Sequence, residues 1–211
     1  MINWRIVLPG FLVVVFLLRY YDFFYLYLPV RSFNIGGKYE PSIASFALFN
    51  YTLKLLYYLI KFIVIALALY AGIFLEGNKN KDRMASFADL FILVIASEFV
   101  FLSADVIKIL DFTFFNLDYD DQTYLNYYPL SLFSLLDIDA DSFQANLFQT
   151  ISIFEVIYII VLGIGLKRLQ YHDNLKGFTV AAYSYGSILA IWLIITTYIK
   201  VLWLGYYWAL Q

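Results

Sequence analysis

The sequence predicts an all-α integral membrane bundle of about five transmembrane helices, with the N-terminus cytoplasmic and the C-terminus extracytoplasmic. Three observations carry that prediction. Of the 211 residues, 63% are hydrophobic and only 14% are charged, whereas soluble domains run roughly 45–50% apolar and about 25% charged. Long apolar runs alternate with loops of opposite charge. Aromatic residues make up 21% of the chain, which suits the two membrane interfaces, where amphipathic rings settle. Mean hydropathy is +0.76. Strands facing lipid would have to close into a barrel, and the alternating pattern of barrel strands is not visible, so helices are expected throughout.

A helical span needs about 20 mainly apolar residues. The first is expected at about 6–29. Arg19 and Asp22 interrupt it, three apart, so they can pair on one helical face. Its start imitates a secretory signal, but Arg19, Tyr20 and Tyr21 follow the apolar run where a cleavage site needs small residues. A retained span is therefore expected. The second segment builds from Ser42 and is expected to cross at 55–75, with its earlier turns in the interface. The third, fourth and fifth are expected at 87–110, 143–166 and 178–204, within one transmembrane domain covering 1–211.

Lys and Arg in short loops mark the cytoplasmic side. Lys79, Lys81 and Arg83 follow the second span, and Lys167, Arg168 and Lys176 follow the fourth. Between them lies an acidic loop, 111–142, expected outside. Seven aspartates and no basic residue stand between Leu110 and Lys167. A re-entrant first segment would instead put the N-terminus outside and leave four spans. Within the loop, Pro129 to Leu136 suggests a short interfacial helix, with proline in its first turn.

Ionisable groups at membrane depth are costly and pair or face a polar cavity. Glu98 is placed near the centre of the third span, Glu155 near the centre of the fourth, and Lys61 well inside the second. Asp105 and Lys108 share the helical face of Glu98, because spacings of seven and three return to one side. Lys61, Glu98, Asp105 and Glu155 are thus the candidate intramembrane polar or partner-docking residues. Two uses are open: a polar site for an ion, a proton or a partner helix, or internal pairing that locks helices. Ala182, Gly186 and Ala190 recur every fourth residue and are candidate helix-packing positions, since small residues let backbones approach. Ala68 and Gly72 repeat the spacing, and the hydroxyls of Tyr183, Ser184, Tyr185 and Ser187 stand ready to bond across helices.

No catalytic, cofactor or metal site is expected. The chain has no cysteine and one histidine, His172. Asp137, Asp139 and Asp141 imitate the start of a calcium loop, but Ser142 and Phe148 stand where glycine and a bidentate glutamate are required. A net charge of −2 with no basic stripe argues against nucleic acid.

Asn146-Leu147-Phe148, then Ile153 to Tyr158 with Phe154-Glu155 inside it, then Leu162 to Arg168, form a run that resembles the Yip1 family of small membrane proteins. Tyr128-Pro129-Leu130-Ser131 is in keeping with it. The resemblance implies a bacterial-type member with five spans, the N-terminus cytoplasmic and the C-terminus outside, and does not itself imply catalysis; a bacterial inner membrane is the expected location. Membrane lipids and other membrane proteins, or further copies of the chain, are the expected partners. The expected function is that of a non-enzymatic helper or structural subunit. The contending one is a small ion- or proton-coupled transporter or channel using Glu98, Glu155 and Lys61.

Overall fold

The computed structural model describes residues 4–21, 42–76, 85–115, 123–124, 127–136, 145–170 and 174–209. Among these the regular structure is helical: α1 (Trp4–Tyr21), α2 (Ser42–Leu75), α3 (Phe87–Ser97), α4 (Phe99–Phe114), α5 (Leu132–Leu136), α6 (Ala145–Thr150), α7 (Ile153–Gln170) and α8 (Asn174–Ala209). Among the described residues, three stretches are long and apolar enough to cross a membrane: Leu55–Leu75, Phe87–Phe114 and Lys176–Ile199. They coincide with the expected second, third and fifth spans. The apolar run of α1, Ile6–Leu18, is shorter. At 1.5 Å rise per residue, α2 and α8 are each roughly 50 Å long, beyond the roughly 30 Å of a hydrocarbon core.

The chain divides into two compact units, Met1–Leu67 with Phe87–Tyr127, and Ala68–Ser86 with Tyr128–Gln211. In the first, α1 packs on α3 and α4. Its core is aromatic. Phe11 is fully buried, with the Phe62 and Phe99 rings edge-on at 5.5 and 5.6 Å. Such pairs add about 0.5–1.5 kcal/mol each beyond the area they bury. Leu90, Leu93, Val94, Ile95 and Leu102 complete this core. A second cluster caps the end of α4. Phe112 meets Tyr124 and Tyr127 edge-on, each at 5.0 Å, and the Lys108 ammonium lies 4.2 Å from the Tyr124 ring centre. Tyr127 donates to Asp111. Burial first, then that bond and the carboxylate's charge, push the phenol up to about 12. Asp111 therefore sits in the last turns of a helix that runs to Phe114, and not in the acidic loop. The remaining loop aspartates and His172 lie outside the described residues.

In the second unit α7 and α8 pack along their lengths, and the short α5 and α6 lie side by side. The segment expected as a fourth span, 143–166, is not one helix. Residues 143–144 lie outside the described residues, α6 stops at Thr150, and α7 restarts at Ile153. The interruption has a cause distant in sequence. Leu132 donates its N–H to Ile151 (2.9 Å) and Ile153 to Leu130 (3.1 Å), closing an antiparallel bridge between Ser131 and Ser152. Leu130 takes a left-handed backbone, φ 54°, which turns the chain into that clasp. The expected Pro129–Leu136 helix accordingly starts later, at Leu132. Its cap is serine rather than proline: the Ser134 N–H donates to Ser131 Oγ at 3.3 Å.

Candidate intramembrane polar sites

The first site is built on a break in a long helix. The stretch Phe87–Phe114 is continuous in hydropathy, yet α3 ends at Ser97 and α4 begins at Phe99. Ser97 turns its hydroxyl back onto the Leu93 carbonyl, 2.8 Å away, a bond that bends helices. The Glu98 N–H is shared between the carbonyls of Val94 (3.1 Å) and Ile95 (3.2 Å), and the Glu98 carbonyl accepts from both Phe101 and Leu102. Three-centre bonds of this sort mark a locally tightened turn.

Into this turn α2 brings Lys61. Its Nζ donates to Glu98 Oε1 at 2.5 Å, joining side chains that are 20% and 1% exposed. The same ammonium lies 4.5 Å from the Phe101 ring centre, within range of a cation–π attraction. Glu98 Oε2 is buried and has no hydrogen-bond partner. Asp105 is half-buried, and its negative charge is felt at Glu98. Lys108, expected on the same stripe, lies over Tyr124.

The second site is in the other unit. Glu155 stands in the first turn of α7, because the clasp at Ser152 restarts the helix just before it. A carboxylate there is favoured by the positive end of the helix dipole. Tyr185 of α8 donates its hydroxyl to Glu155 Oε2 at 2.6 Å. The Tyr158 ring packs on Tyr185 with centres 4.7 Å apart, and both rings are buried. No known protein family, characterised protein or solved structure matches the chain.

The helix seams of the second unit use other small residues than the stripe singled out in the sequence. A methyl on Gly163 would run into the Phe178 ring, one on Gly72 into Ser184 Oγ, and one on Gly177 would lie 2.9 Å from the Gly163 carbonyl. At Gly186 it would meet nothing within 4 Å, and Ala182 and Ala190 are exposed. The reason is one of phase. Neighbouring helices pack on the Val180, Ala181, Ser184 and Tyr185 side of α8, and Ala182 is turned about 100° from Ala181. Gly72 was legible from its spacing with Ala68. Phe101 was missed, although an aromatic ring three residues after a membrane carboxylate lies on its face.

Proposed function

We propose that this chain is a non-enzymatic, five-span protein of a bacterial inner membrane, a bacterial-type relative of the Yip1 family, with its N-terminus cytoplasmic and its C-terminus outside. It acts as a helper or structural subunit that holds other membrane proteins, or further copies of itself, among membrane lipids. One observation supports this above the others. Glu98 and Glu155 are each bonded to a side chain from another helix of their own unit, Lys61 and Tyr185. Both carboxylates thus tie one helix to another, which is what a scaffold requires. The apolar faces stay open, with Phe16, Leu67, Phe74 and Ile194 each more than half exposed, and lipid or a partner helix suits such faces.

The test is extraction of the tagged full-length chain from native membrane in mild detergent, with particle mass and co-purifying proteins measured. A stoichiometric partner or a defined homo-oligomer is the expected result. A lone monomer would refute the subunit role. A tag after Gln211 that is sealed from externally added protease in spheroplasts, whose outer membrane has been opened, would refute the orientation.

A further inference from the structure

The Lys61–Glu98 pair leaves one atom unexplained. A helix-locking ion pair needs one carboxylate oxygen, and Oε1 serves. Oε2 lies in a side chain only 1% exposed, and no donor reaches it. An ionised buried oxygen without a donor is among the costliest arrangements in a protein, and a neutral hydroxyl left alone costs less.

The charged groups that Glu98 faces are Lys61, from α2, and Asp105, from its own span, and they are of opposite sign. From α1 the buried side chains are apolar, Phe11 and Val15. Lys61 is also the one member of the pair with a second anchor, the Phe101 face at 4.5 Å. If the carboxylate were neutralised, the ammonium would keep a hydrogen bond to Oε1 and the attraction of the ring. It would not be stranded.

We propose that Glu98 Oε2 is a reversible proton-binding site. An O–H bond forms at Oε2 with a proton taken from water and breaks when the proton returns. Oε1 accepts from Lys61 in both states, and no electrons or other reactants are involved. This goes beyond the assembly role, which requires the pair only as a fixed link. Phe101 is a positioning residue that holds the ammonium while the carboxyl is neutral.

The experiment is infrared difference spectroscopy on the full chain in lipid nanodiscs, titrated between about pH 4 and pH 10 so that ordinary carboxyl groups and strongly perturbed ones both fall in range. The expected result is a protonated-carboxyl stretching band from a dry environment that comes and goes with pH. It is lost in Glu98→Gln and kept in Glu155→Gln. In Lys61→Met, which removes the cation and leaves Oε2, the band persists to higher pH. A band unchanged in Glu98→Gln, or no such band in the wild type, overturns the proposal. If Glu98→Gln fails to fold, the wild-type chain is treated with a hydrophobic carbodiimide, which modifies protonated membrane carboxyls. An adduct on Glu98 that diminishes as pH rises supports the site, and its absence at every pH overturns it.

Discussion

The two units hold their helices by opposite means. In the first, a cation from α2 meets a carboxylate at the break between α3 and α4, both withdrawn from solvent. In the second, the half-buried Glu155 accepts a neutral hydroxyl from Tyr185, and the close work is done by glycines packed tightly against neighbouring helices. The difference follows burial. A fully buried carboxylate needs a counter-charge or a proton, whereas one at a helix start already has the dipole and partial access to its surroundings. The first unit is therefore sensitive to charge and the second to volume.

Breaking the ion pair should produce the largest effect. Lys61→Met leaves Glu98 with neither counter-charge nor donor and is expected to cost about 3–5 kcal/mol where the carboxyl is ionised and less where it takes up a proton, read as thermal stability in detergent and as membrane abundance. The double variant Lys61→Met with Glu98→Leu should recover much of it, and Asp139→Ala should do little. Equal losses from all three would remove the distinction between a buried pair and an acidic loop.

Volume is the corresponding test of the second unit. Gly163→Ala drives a methyl into the Phe178 ring near its base and should cost about 1–3 kcal/mol. Gly186→Ala, on the open face, should be neutral or stabilise by about 0.5–1 kcal/mol through helix propensity. If both behave alike, the seam does not run where Gly163 and Phe178 meet. Tyr185→Phe should be milder, about 1.5 kcal/mol, at the low end for a bond to a charged group because Glu155 is only half-buried.

The smallest effect is alkaline and belongs to the cluster at the end of α4. The Tyr127 phenol titrates near 12 when folded, against 10.0 for a free tyrosine. Its native state keeps the proton longer than the unfolded chain does. Its contribution is thus complete below about pH 10 and lost as pH rises toward 12. Tyr127→Phe should flatten that part of the stability-against-pH curve, and an unchanged slope would separate Tyr127 from Asp111.

Much of this was legible in the sequence, and what was not shares one property. Hydropathy is local, so Leu55–Leu75, Phe87–Phe114 and Lys176–Ile199 emerge from composition alone. The isolated charges Lys61, Glu98 and Glu155 were visible for the same reason. Which carboxylate Lys61 meets, and which hydroxyl Glu155 takes, were not, because Lys61 and Glu98 are separated by 37 positions and Glu155 and Tyr185 by 30. The clasp at Ser131 and Ser152 is non-local too, and it alone decides that Glu155 opens a helix. The stripe of Ala182, Gly186 and Ala190 gave a correct period with an undetermined face. Spacing reveals that a helix has a smooth side, not which neighbour stands against it.

The clasp has a consequence for how the chain tolerates change. Two backbone bonds, Leu132 to Ile151 and Ile153 to Leu130, close a loop at its base, and Asp137, Asp139 and Asp141 fall inside it by sequence. Closing a loop grows costlier only with the logarithm of its length, about 0.6 kcal/mol per doubling. Foreign sequence spliced between Leu136 and Ala145 would thus tax the fold lightly, and a single cut there would leave both new ends tethered at a common root. This segment is where evolution, or an engineer, has room to write.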